Sequence, residues 1–247
     1  MRFDFGVFWS LLFSDVFLYP VWTTVWVTAA AMAIGVTLGL VCGLCVTSNV
    51  GPLRAIVRLY VVVFRAIPAL VQIVFWYDAI AEHTNNAVNL PPLIAGVVAL
   101  GVNEGAYMTE IVRAGLMSVD AGQRQASYSL GLRPIQTLRL VIVPQALRVI
   151  VPPTGNQVIG MLKTTSLLFT IAVPEIFATG TNIYSINFRY FEVLSVVSIW
   201  YLILTGVLTL AQRGLERRFG DRLNGAGGAP RGVLLRLLGF GPKVPAR

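Results

Sequence analysis

From Trp22 to Val46 the chain carries no charged side chain. A helix over that stretch, rising about 1.5 Å per residue, exceeds the roughly 30 Å hydrocarbon core of a bilayer. Four more apolar stretches follow: Leu59 to Ala81, Pro92 to Met108, Ala146 to Val173 and Val193 to Ala211. With 56% hydrophobic and only 12% charged residues over 247 positions, no soluble fold can hide the apolar surface, so lipid is the expected solvent. The expected fold is all-α: an integral membrane protein of about five transmembrane helices.

The spans differ in kind. The first holds Gly35, Gly39 and Gly43 at a four-residue period, a stripe that lets another helix approach closely. Arg65 and Pro68 interrupt the start of the second, where they fix a bend or let the guanidinium snorkel. Asn103 and Glu104 lie in the third. The fourth carries Pro152, Pro153, Asn156, Gln157 and Lys163, so it belongs inside protein or beside water, and its proline pair is expected to free backbone groups there.

The net charge of +8 comes from 19 Lys and Arg against 11 Asp and Glu. These cations do not form a nucleic-acid surface, because apolar spans separate them. Arg54 and Arg58, then Arg113, Arg124, Arg133 and Arg139, then a basic tail from Arg213 onward, all fall on one side if the spans alternate. That asymmetry places the N-terminus outside, the C-terminus in the cytoplasm and an odd number of spans between. The expected organisation is an outer interfacial segment over 1–21, a transmembrane domain over 22–219 and a basic cytoplasmic tail over 220–247. The apolar N-terminal residues carry Asp4 and Asp15 without a basic start, unlike a signal peptide. Cys42 and Cys45 sit in an apolar run with a single histidine, His83, in the whole chain, so no metal site is expected.

The inner loop between spans three and four, Glu110 to Leu147, is too long for a simple turn. Its first half has helical spacing with small residues at Ala126 and Ser127; Gly131 then supplies a tight turn and Pro134 opens a second short helix. A helix-turn-helix with a small-residue face and protruding Leu130 and Leu132 is built to dock on a partner. Its tether between two spans argues against DNA.

Here the sequence resembles the permeases of bacterial ABC importers. Their cytoplasmic signature reads E-A-A, three residues, G, nine residues, I-x-L-P. Gln125-Ala126-Ser127, Gly131 and Val141-x-Val143-Pro144 follow it residue for residue in spacing, with Gln for Glu, Ser for Ala and Val for Ile and Leu. The likeness extends to the polar amino acid subfamily: Phe64 to Pro68 with Val71-Gln72, Asn103 to Tyr107, Glu110 to Gly115, Pro144 to Arg148, Gly155 to Gln157, Leu162 to Leu167 and Leu215 to Phe219 resemble its characteristic runs. The resemblance implies a permease subunit that pairs with a second permease, the same or similar. A cytoplasmic ABC ATPase dimer would dock on Gln125, Ala126, Ser127, Leu130, Gly131 and Leu132, and a separate extracytoplasmic protein would deliver the amino acid.

The chain itself carries no ATP cradle. A P-loop needs glycines followed by Lys-Ser or Lys-Thr, and the two lysines, Lys163 and Lys243, do not follow glycine. No cofactor is expected in this chain, and ATP and magnesium belong to the partner. Ionisable groups within spans are costly, roughly 2.5 to 3.5 kcal/mol on insertion scales. Two readings of Glu104 stay open: it pairs with Arg65 or Lys163 as a strut, or Asn103, Glu104, Asn156, Gln157, Lys163 and Thr164 line a cavity for a zwitterion. A stand-alone secondary transporter would need ion-coupling groups or inverted repeats, and neither is visible. A scaffold without transport would not need polar spans.

Overall fold

The computed structural model describes residues 3–48, 50–85, 87 and 89–224, so the tail beyond Asn224 lies outside the described residues. All regular elements among them are helical. Helix α1 (Phe5–Leu12) is followed by a 3₁₀ turn at Asp15–Phe17 and the long α2 (Leu18–Thr47), which begins four residues before the expected start. Helix α3 (Gly51–Ala66) leads into α4 (Ala69–Val74), which continues through a π turn into α5 (Ile80–His83). Helix α6 (Pro92–Met117) runs nine residues past the expected span. The inner loop forms α7 (Ala121–Ser129) and α8 (Pro134–Thr137), and α9 (Val143–Thr164), α10 (Ile176–Asn187) and α11 (Tyr190–Asn224) complete the described residues.

Three helical segments are long and apolar enough to cross a membrane: Asp15–Thr47, Pro134–Ile171 and Tyr190–Glu216. A fourth is the pair Gly51–Ala66 and Ala69–His83, bent by 105° at the break between them. The second span is therefore not one straight helix. Pro68 has no N–H, so the Phe64 carbonyl loses its helical donor. The Gln72 amide replaces it, donating to the Phe64 and Ile67 carbonyls at 2.9 and 2.8 Å, and Asn103 donates to Phe64 at 2.9 Å. The corner is thus stitched by the side chains of the Val71-Gln72 and Asn103-Glu104 runs.

Helix α6 is the hub. It buries Gly101, Glu104, Gly105, Met108 and Val112, among others, and packs chiefly on α2. The glycine stripe of α2 makes the approach possible. A Cβ at Gly35 would stand 2.7 Å from Glu104 Cγ, one at Gly39 would overlap Met108, and one at Gly43 would stand 2.5 Å from Val112. From the other side Gly101 and Gly105 of α6 admit Ile34 and Leu38 of α2, at 2.8 and 2.9 Å from a notional Cβ. The main core gathers Val27, Ala31, Ile73, Leu100, Met161 and Leu168 around this seam.

Helix α9 is continuous through Pro152 and Pro153, which have no N–H to offer the carbonyls one turn earlier. The irregular backbone comes later, in the 3₁₀ segment Thr165–Ile171 and at Ala172, whose φ of 57° is left-handed. That turn delivers Glu175, fully buried, to the start of α10. There its carboxylate accepts from Phe177 N–H, Ala178 N–H and the Tyr201 hydroxyl, tying α10 to α11. At the start of α11, Arg189 holds Asp4 at 2.8 Å while Asp4 N–H donates to Glu192, fastening α1 to α11. The Arg189 guanidinium keeps the Asp4 carboxyl below the usual carboxylate range. Trp9 of α1 and Phe13 at its C-cap, stacked at 5.7 Å, stay exposed, as suits a helix lying in a membrane interface.

Candidate functional site

Two constellations carry the expected chemistry. The first is the hairpin of α7 and α8. Asp120 caps α7, its carboxylate accepting from Gly122 N–H at 2.7 Å. The helix ends in a Schellman turn: Leu132 N–H reaches the Ser127 carbonyl at 3.1 Å and Gly131 N–H the Tyr128 carbonyl at 2.9 Å. Gly131 has φ +76°, and nothing lies within 4 Å of where its Cβ would be. Pro134 opens α8, and the Gln136 side chain accepts from Arg133 N–H. Ser127 faces inward, donating to the Gln123 carbonyl, while Gln125 and Ala126 are exposed and Leu132 is half-buried. Leu130 projects at the tip, 81% exposed. A large aliphatic side chain held outward by a capped turn is an anchor without a pocket of its own.

The second is the polar set in the spans, which divides into two groups. On α9, Val149, Pro153, Asn156 and Lys163 are exposed at helical spacing, with Gln157 and Thr164 half-buried along one flank. The opposite side of the helix, with Met161 and Leu162, enters the core. Asn156 accepts from Gln212 of α11 at 3.0 Å, and the Gln212 side chain fits against Gly155, where a Cβ would stand 2.7 Å from it. Thr164 donates to the Gly160 carbonyl. Lys163 has no ion pair among the described residues.

On α6, Glu104 points away from that stripe. Its aliphatic part lies on Gly35, it is 5% exposed, and its Oε1 is buried with no hydrogen-bond partner. The strut reading fails in this geometry: neither Arg65 nor Lys163 pairs with it. Arg65 instead lies over the Tyr107 ring at 5.2 Å, a cation–π contact. Asn103 serves the corner at Phe64.

Sequence reasoning missed Gln72, Glu175, Tyr201 and Gln212 as polar supports. Gln72 was visible only as part of a motif, and its position four residues after Pro68 was the available signal. Glu175 follows Pro174 at a helix start, a capping signal. Nothing local marks Tyr201, whose partner is remote in sequence, and Gln212 joins a local partner, Glu216, to a remote one, Asn156.

The family described as binding-protein-dependent transport system inner membrane component matches residues 35–221. The arginine transport system permease protein ArgU of Corynebacterium glutamicum is 39% identical over 180 residues, 68% of this chain and 56% of that protein. The chain thus spans little more than half of that relative. A probable amino-acid permease protein of Bacillus subtilis, YxeN, is 40% identical over 70% of this chain and 77% of its own length. The glutamine transport system permease protein GlnP of Escherichia coli is 42% identical over 65% of this chain and 73% of its own length. Among solved structures, a chain of an amino acid ABC transporter with histidines superposes with a TM-score of 0.80 at 33% identity, covering 88% of this chain and all of that one. The inward-facing MetNI methionine ABC transporter shares the fold, with a TM-score of 0.68 at 21% identity.

Proposed function

The chain belongs to the family of binding-protein-dependent transport system inner membrane components, and we propose that it is the permease subunit of an ATP-driven importer for a polar amino acid. It is a multi-pass protein of the plasma membrane, and in this family ATP hydrolysis resides on a partner subunit. The observation that carries the reading is the α7–α8 hairpin: a rigid capped turn that projects Leu130 and follows the importer docking signature in spacing. We assign its partner as a cytoplasmic ABC ATPase dimer, with ATP and magnesium held there. A separate extracytoplasmic binding protein delivers the solute. The relatives named for arginine and glutamine transport support a polar amino acid as cargo.

The exposed stripe on α9 supports a second permease, the same or similar, as neighbour. A lysine and an asparagine on a span do not face lipid without cost, so Asn156 and Lys163 border a water-filled path that the second copy closes. Gln157 and Thr164 flank this path. Asn103 and Glu104 complete the proposed solute-binding set from α6, the helix packed beside α9. The proposed topology has five crossings, with α6 as the enclosed central one and the N-terminus outside. Residues 1–21 lie in the outer interface, 22–219 form the transmembrane domain and 220–247 form the cytoplasmic tail.

Uptake of radiolabelled amino acids by a strain lacking the gene tests the reading. We expect loss of one polar amino acid or a small related group, restored by the plasmid-borne gene. Unchanged uptake across the whole panel overturns it. At residue level, Lys163→Met and Glu104→Gln keep the shape of each side chain and should permit assembly while weakening apparent affinity by about tenfold or more, the scale of one charge-assisted hydrogen bond. Restoration of uptake by reversing both charges together would instead make the two residues an ion pair and remove them from the path.

A further inference from the structure

A cleft of about 810 Å³ opens between the end of α2, the start of α3, the end of α6 and the α7–α8 hairpin. Arg54, Arg58, Arg113 and Arg124 line it, and no carboxylate does. Among the described residues, only Arg113 of the four has an acidic partner, Glu110 at 2.8 Å. Arg54 and Arg58 stand four residues apart on α3, a spacing at which like charges repel. The remaining wall is apolar: it includes Leu44 of α2, 44% exposed, and Met117 of α6, 66% exposed. Three arginines without counter-charge among the described residues, beside exposed apolar side chains, form a lining with two chemistries.

We propose that this cleft binds an anionic phospholipid, its phosphate against Arg54, Arg58 and Arg124 and its acyl chain along Leu44 and Met117. Guanidinium groups present planar donor pairs that match phosphate oxygens. The depth fits, because the cleft begins where α2 ends, at Thr47 and Ser48, the level at which a span gives way to headgroups. A soluble phosphate would satisfy the arginines and leave the apolar wall uncovered. An acidic protein face would do the same. The tip residues Gln125, Ala126, Leu130 and Gly131 are not part of the lining, so lipid and docking partner need not compete. A lipid bridging α3 and α7 would brace the hairpin against the membrane domain, making transport sensitive to the anionic lipid fraction.

Native mass spectrometry of the purified protein released from nanodiscs of phosphatidylglycerol and phosphatidylcholine counts the lipid that stays bound. The wild type should retain phosphatidylglycerol selectively. Arg54→Gln with Arg58→Gln should lower that retention on the order of tenfold. A matched pair outside the cleft, Arg139→Gln with Arg148→Gln, should change it by less than about twofold. If the α3 pair misassembles, Arg124→Gln on the exposed face of α7 gives the same readout with one charge removed. Equal retention in wild type and cleft variants overturns the proposal, as does equal loss in the matched pair. Displacement of the lipid by millimolar inorganic phosphate would identify a phosphate site. Loss of a co-purifying ATPase with lipid retention intact would identify a protein contact, and each of these two results also overturns it.

Discussion

Gly39→Val should leave almost no monodisperse permease in detergent, and Gly39→Ala should lower its thermal midpoint measurably. The reason is where the added carbon lands. A Cβ at position 39 overlaps the Cβ and main chain of Met108, not the far end of a side chain that can swing aside. Relief requires α2 and α6 to move apart along the whole seam, because Gly35 and Gly43 set the same spacing one turn to either side. That movement would expose Glu104, which is sealed against Gly35. Overpacking of this kind costs roughly 1 to 3 kcal/mol for small additions, against a total stability of only about 5 to 15 kcal/mol. Two controls separate steric clash from loss of glycine itself. Gly206 and Gly214 of α11 have nothing within 4 Å of a notional Cβ, so alanine there should be neutral or slightly stabilising. Thermal unfolding monitored by fluorescence size-exclusion reads all four variants. A Gly39→Val protein with a wild-type midpoint would show that the α2–α6 seam is not where the domain is held together.

How much of this was legible beforehand depends on the range of the interaction. The glycine stripe was readable because a four-residue period on one helix needs no knowledge of its partner. Gly131 and Pro134 were readable for a similar reason, since turn and helix-start chemistry are local. Span boundaries were less so. Helix α6 continues to Met117 as a helix whose later turns carry Glu110 and Arg113, and hydropathy reports apolarity, not helicity. Residue type does not tell what a proline does to the helix: Pro152 and Pro153 remove donors inside a continuous α9, whereas Pro68, beside Gln72 and Asn103, sits at a turn of 105°. The polar set was the hardest part. Residue type alone could not reveal that Glu104 faces α2 while Asn156 and Lys163 face outward, because facing is decided by which side of each helix the core takes. The polarity of Asn156 is plain in the sequence, yet its tie to Gln212 spans 56 positions, beyond any local pattern.

Gly131 offers the cleanest way to separate transport coupling from folding. Its φ of +76° lies in the left-handed region, where L-residues are strained by about 1 to 2 kcal/mol and β-branched ones suffer most. No neighbour stands within 4 Å of its Cβ, so a substitution meets no steric clash, only backbone strain. Valine should therefore unwind the Schellman turn, releasing the Leu132 and Gly131 N–H groups from Ser127 and Tyr128 and swinging Leu130 off its direction. The membrane core, which the hairpin tip does not enter, should be untouched. Gly131→Val protein is thus expected at wild-type levels in the membrane, while substrate-stimulated ATP hydrolysis by the reconstituted importer falls by roughly 5- to 30-fold, the equilibrium factor matching that strain. Asparagine visits the left-handed region far more readily, so Gly131→Asn should keep most of the stimulation, with Gly131→Ala between the two. The graded order Gly, Asn, Ala, Val is the signature of a turn whose backbone conformation matters. Equal stimulation in all four would remove the hairpin from coupling, and equal loss in the three variants would mean that the absence of a side chain, not the left-handed turn, is what the docking partner requires.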